Sequence, residues 1–124
     1  GHALGGVCHV AHGDAMSILL PHVMAYNLDK CRSGYSDLLL HLAGPEVHCS
    51  TPADHRAEKA VEVVTEFVAS FAPYGLPMTL KDTGRVNPDQ FRQVAETAIS
   101  DGAIIVNPKA AGIPEILTIL KEAF

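Results

Sequence analysis

Residues 51–71, Thr51-Pro52-Ala53-Asp54-His55-Arg56-Ala57-Glu58-Lys59-Ala60-Val61-Glu62-Val63-Val64-Thr65-Glu66-Phe67-Val68-Ala69-Ser70-Phe71, read as one amphipathic helix. Thr51 stands at the N-cap, Pro52 at the first helical position and an acid, Asp54, at the third, close to a capping box. Ala57, Ala60, Val61, Val64, Phe67, Val68 and Phe71 hold one face over about five turns. Glu58, Glu62 and Glu66, with Arg56 and Lys59 among them, form the solvated face. Pro73 ends the segment, and Tyr74-Gly75-Leu76-Pro77 is a turn.

The same 3.6-residue period governs the flanks. Upstream, Met16, Leu19, Leu20, Val23 and Met24 follow the i, i+3, i+4 rule from Asp14 onward, and the acid suits the first turn of a helix. Pro21 inside that pattern predicts either a kink or a partner covering the freed carbonyl. Ser36 to Leu42 reads as a second helix, stopped by Gly44-Pro45. Downstream, Asn87-Pro88-Asp89-Gln90 repeats the cap, proline and glutamine logic, and Phe91, Val94, Ala95, Ala98 and Ile99 form the stripe of a fourth helix ending by Gly102. Ala103 to Val106 is a short apolar run that reads equally as a strand or a buried connector. The last helix starts at Ile113-Pro114-Glu115 and turns Ile113, Ile116, Leu117, Leu120 and Phe124 inward. The reading is one all-α domain over residues 1–124, a bundle of about five helices.

Length and composition agree with a single core. Of the 124 residues 48% are hydrophobic and 19% charged, with mean hydropathy +0.16. That balance implies a well-filled core or a face that packs against something else. A net charge of -5 excludes nucleic acid and anionic membrane as main partners. No apolar run nears the roughly 20 residues of a membrane span, and the start lacks signal-peptide features. Cys8, Cys31 and Cys49 are odd in number and widely spaced, so reduced thiols and a cytoplasmic location are expected. No GxGxxG, Walker or GxSxG pattern occurs.

Chemistry concentrates at the start. Gly1 to Gly13 holds His2, His9 and His12 and four of the ten glycines. Histidine binds transition metals and moves protons near neutral pH, and glycine permits close backbone approach. The cluster reads as the trailing part of a site whose remaining residues precede Gly1. His12 stands at a helix start, where the dipole disfavours an imidazolium and favours the neutral, metal-binding form. Capping or simple packing is the alternative reading of His12. His9 and His12 would share a face only in a helix, and Gly5-Gly6 and Gly13 argue against one there. Two ligands such as Cys8 and His12 do not make a structural zinc site, which takes four. His22, His41, His48 and His55 are scattered and read as exposed or singly bonded.

His2-Ala3-Leu4-Gly5, His12-Gly13, Ile18-Leu19-Leu20-Pro21-His22-Val23-Met24 and Asn27 together closely resemble the iron-containing (group III) alcohol dehydrogenases. The likeness continues through Tyr74-Gly75-Leu76-Pro77, Asp101-Gly102 to Asn107-Pro108, and Ile116 to Phe124, and so covers essentially the whole chain in order. The resemblance implies the C-terminal all-helical domain of such an enzyme, of the dehydroquinate synthase-like kind, preceded by an α/β domain that binds NAD(P). It implies a divalent metal, usually Fe2+ and sometimes Zn2+, held by an aspartate and three histidines. His12 takes the place of the last histidine ligand. His2 takes the place of a nearby non-ligand histidine that faces nicotinamide and substrate and relays protons. The other ligands would lie before Gly1, so the 124 residues alone are expected to bind metal poorly and to be inactive. The substrates implied are a small alcohol and its aldehyde or ketone, and a homo-oligomer is an expected assembly.

Two other readings compete. One is a free-standing helical domain that binds a metal or a partner protein without catalysis, drawing on the apolar content and the His2/His9/His12 cluster. The other stays in the superfamily, a zinc-using glycerol dehydrogenase or dehydroquinate synthase relative. Leu20 to Met24 and Gly75-Leu76-Pro77 look more like the iron-containing group. Metal identity is not encoded, because carboxylate and imidazole accept several first-row ions.

Overall fold

A computed structural model describes residues 1–124 as five α-helices with no strand: α1 (His2–Cys8), α2 (His12–Ser50), α3 (Arg56–Ala69), α4 (Phe91–Ile99) and α5 (Ile113–Glu122). The all-α class and the count of five agree with the sequence reading, but the membership differs. The glycine-rich start, expected to be non-helical, forms α1. It stops at His9, which adopts φ 57°, ψ 32° in the left-handed region. His9 N–H donates to the Gly5 carbonyl at 3.1 Å and Val10 N–H to the Leu4 carbonyl at 3.4 Å. The first is the 5→1 bond of an αL stop, and Val10 and Leu4, joined by the second, are both buried. A histidine in place of the usual glycine accepts some backbone strain at that position.

The two helices expected at 14–24 and 36–42 are one. α2 carries helical torsions through Pro21, and its only non-helical residue is Gly44 (φ 82°, ψ 171°), a conformation that needs glycine. Pro45 then restarts the helix as far as Ser50, so Gly44-Pro45 marks a break rather than an end. Before that break α2 rises roughly 48 Å. α3 packs against it, and the Arg32 guanidinium pairs with the Glu58 carboxylate across the seam. The start of α3 departs from expectation: Ala53–His55 is a 3₁₀ turn, and no side chain caps the helix. Its predicted stripe is only partly inward. Ala57 and Ala60 are buried, whereas Phe67 and Phe71 are exposed and meet edge to face at 5.2 Å.

The core lies at the other end of α2. Ala3, Leu4 and Cys8 of α1, Ala15, Ile18 and Leu19 of α2, Phe91 and Val94 of α4, and Leu120 of α5 form one buried cluster with Val10, Leu80 and Ala123. Met16 and Leu20, expected inward, remain exposed, as does Ile99 on α4. Leu80 N–H donates to the Ala123 carbonyl at 2.7 Å and ties the long 76–86 connection to the end of α5. The Asn87 capping box forms as read: its Oδ1 accepts from Asp89 N–H at 3.1 Å, and its N–H donates to Gln90 Oε1 at 3.0 Å. No helix is long and apolar enough to cross a membrane.

The 103–106 run is neither a strand nor a buried connector. Gly102–Val106 is a 3₁₀ turn with Ile105 and Val106 over 80% exposed. The chain after it is clamped to α2. Asn27, the one buried polar side chain, forms a reciprocal amide pair with Asn107, both bonds at 2.9 Å. Asn107 Nδ2 also donates to the Lys109 carbonyl, Lys109 Nζ donates to the Tyr26 carbonyl at 3.1 Å, and Tyr26 Oη donates to the Ala110 carbonyl at 2.6 Å. Replacing Asn107 by Ala leaves the buried Asn27 amide unpaired. We expect a loss of about 1–3 kcal/mol in denaturant unfolding and new protease cleavage within 102–111. A loss below ~0.5 kcal/mol with unchanged cleavage contradicts the clamp.

Candidate active site

His2 opens α1 and His12 opens α2. Because the chain reverses at His9, the two rings are neighbours, stacked with centroids 5.3 Å apart and planes 23° from parallel. His9 itself points elsewhere in function: it is exposed, and its place in the left-handed turn is structural. Met16, one turn along α2 from His12, lies beside Gly1; a Cβ at Gly1 would sit 2.6 Å from the Met16 sulfur. Glycine at the entry to α1 therefore lets Met16 pack against the start of that helix.

A third polar group arrives from 99 residues away. His2 Nδ1 lies 2.8 Å from Asp101 Oδ2. The other Asp101 oxygen accepts the Ala103 N–H at 2.9 Å, capping the 3₁₀ turn that follows. An ionised carboxylate only accepts, so Nδ1 carries the hydrogen and Nε2 is left with its lone pair in the neutral ring. The Ala103 N–H, and after it the His2 ring, hold the Asp101 carboxyl below the usual carboxylate range. Sequence reasoning did not single out Asp101 as a site residue. Its local signal is that of a cap before a short turn, and nothing local announces His2 as its partner.

These groups stand at the edge of a cavity of about 380 Å³, large enough for a small molecule. Leu4, Leu19, Val94, Ala98, Ile116 and Leu120 supply apolar wall. The polar lining side chains are His2, His12, Tyr26, Asp101 and Asn107. Three of them are committed: Tyr26 to the Ala110 carbonyl, Asn107 to Asn27, and Asp101 to Ala103 and His2. Reactive capacity at the cavity thus falls on His12 and on the far nitrogen of His2.

The donor set fits part of a metal shell. His12 offers one exposed imidazole at a helix start. No group of three or more His, Cys, Asp or Glu side chains is placed to hold a metal ion. His55 lies near Asp54 at 3.8 Å, and His22, His41 and His48 sit along α2 away from the cavity lining. The three cysteines are free, and burial pushes the Cys8 thiol up.

A family model described as the Fe-containing alcohol dehydrogenase family, C-terminal, matches residues 1–124. The chain is 35% identical over 123 residues to a 1,3-propanediol dehydrogenase of Klebsiella pneumoniae, covering 99% of this chain and 30% of that protein. It is 32% identical to a lactaldehyde reductase of Escherichia coli K12, with 99% and 31% covered. Among solved structures, a 1,3-propanediol oxidoreductase superposes with a TM-score of 0.85 at 32% identity, over 99% of this chain and 31% of that one. An alcohol dehydrogenase from Oenococcus oeni gives 0.84 at 28% identity, over 99% and 30%. The chain thus spans about 30% of the length of the curated relatives it matches.

The depressed Asp101 carboxyl has a pH consequence. Its contribution to stability is fully present above the ordinary carboxylate pKa and is lost as pH falls through its lower folded value. Carboxyl-detected NMR titration should place Asp101 below the ordinary aspartate value. In His2→Ala it should rise yet stay depressed, because the Ala103 N–H, the larger cause, remains. An unshifted Asp101 would show that neither bond persists in solution.

Proposed function

Because the chain belongs to the Fe-containing alcohol dehydrogenase family, we propose that it is the helical, substrate-side part of a metal-dependent, NAD(P)-linked dehydrogenase of small alcohols and aldehydes. The observation that carries this reading is the stacking of His2 on His12 at the polar edge of an otherwise apolar cavity. A bound divalent metal, iron or zinc, supplies Lewis acidity toward an alcohol oxygen, and a bound nicotinamide supplies a hydride acceptor. His12 contributes one neutral imidazole to the metal. His2 accepts the hydroxyl proton on Nε2 and passes it to water, which its 68% exposed side chain reaches. The apolar walls seat the carbon skeleton and keep water from the reacting carbon. The remaining metal ligands and the nucleotide-binding residues come from sequence outside these 124 residues.

A free-standing metal site is the weaker reading. It needs a full donor set, which the described residues do not assemble, and His2 and Asp101 are already bonded to each other.

Two substitutions in the full-length protein separate the roles. His12→Ala should abolish metal retention and turnover together. His2→Gln should keep the metal, read by elemental analysis, and lower kcat by about 100-fold, the scale of a lost general base. Full metal content and turnover in His12→Ala would sink the proposal. For the 124 residues alone, equilibrium dialysis against ferrous or zinc ions should show only weak binding.

A further inference from the structure

We infer that Asp101 is the positioning residue for His2, holding its ring in the Nδ1–H tautomer so that Nε2 is the atom presented for proton transfer. This inference rests on the proton-handling role proposed for His2. Its geometric basis is independent of that role. A casual surface ion pair joins two mobile side chains and fixes little. Here the acceptor is restrained three times over. Its second oxygen is bonded to the Ala103 N–H at 2.9 Å, its side chain is only 31% exposed, and the segment behind it is clamped by the Asn27–Asn107 amide pair.

The His2 ring is restrained from two sides as well. The bond at Nδ1 sets its rotation, and the stack on His12 sets its plane. Two such restraints determine where Nε2 lies. During alcohol oxidation the hydroxyl proton moves to Nε2 and on to water, Nδ1 keeps its hydrogen, and Asp101 stays ionised. A bound nicotinamide would supply the hydride acceptor, so protons and electrons balance. With the tautomer reversed, Nε2 would carry a hydrogen and could accept nothing.

Asp101→Asn tests this without removing the cap. The amide oxygen still accepts from Ala103 N–H, while the NH2 group faces Nδ1 and drives the hydrogen to Nε2. Long-range 1H–15N spectra of histidine-labelled, metal-free full-length protein should show His2 as Nδ1–H in the parent and Nε2–H in Asp101→Asn. In the loaded enzyme kcat should fall about 10- to 100-fold, the scale seen when the partner that orients a metal-bound histidine is lost, with KM unchanged within about threefold. An Nδ1–H ring in Asp101→Asn, or an unchanged kcat there, overturns the inference. If His2→Gln instead keeps full turnover, the proposed role of His2 falls. The Asp101→Asn tautomer then still decides, on its own, whether Asp101 sets the ring.

Discussion

The arrangement at the cavity depends on one left-handed residue. His2 and His12 are ten residues apart, and in a continuous helix they would be roughly 15 Å apart along its axis. The stop at His9 folds α1 back beside the first turn of α2, so that both histidines are the opening residues of neighbouring helices. Two backbone bonds and the burial of Val10 and Leu4 hold the reversal. These side chains are also members of the core, so packing places the two helix starts side by side and the ring contact acts within that frame.

The opposite rim is set by a second constraint far away in sequence. Residues 101–111 have little apolar burial of their own, and Ile105 and Val106 lie in the open. Their position comes from polar bonds to one turn of α2, centred on Asn27 and Tyr26. A buried primary amide has no low-cost alternative to a full set of partners. Asn107 meets that need from the 101–111 segment, and in doing so delivers Asp101 to His2. The clamp and the His2–Asp101 bond are therefore two ends of the same short segment.

Much of this architecture was legible in the residues, and the exceptions have physical causes. The Asn87 box and the α4 and α5 stripes are local signals, and they appear as read except for the exposed Ile99. α1 was hidden because glycine is a poor helix former, and tertiary burial of Ala3, Leu4 and Cys8 overrode that propensity. The polar stretch around Asp29, Lys30, Ser33 and Gly34 concealed the continuity of α2, since one long helix exposes that side and needs no apolar stripe there. Phe67 and Phe71 obey the helical period yet lie outside, because α3 packs through its small residues Ala57 and Ala60. In the site, His2 and His12 were visible by type and position, whereas Asp101 was not. A bond spanning 99 residues leaves no spacing to read, although the resemblance had already gathered Asn27, Asp101 and Asn107 into its motif stretches without showing that they lie together.

That gathering carries an argument about function. The quoted stretches are distributed over the whole chain, yet His2, His12, Asp101 and Asn107 all line one cavity, and Asn27 bonds to one of them. An unpaired polar group is costly where it is buried, and the buried or half-buried members of this set are paired. Asn27, Asn107 and Asp101 are satisfied by the protein. His12 makes no side-chain hydrogen bond to the rest of the chain, and His2 makes one, through Nδ1 only. The groups left with unused capacity are therefore two imidazole edges, side by side, at the mouth of a pocket of small-molecule size. On the function proposed above, one would hold a metal and the other would take the proton of an alcohol.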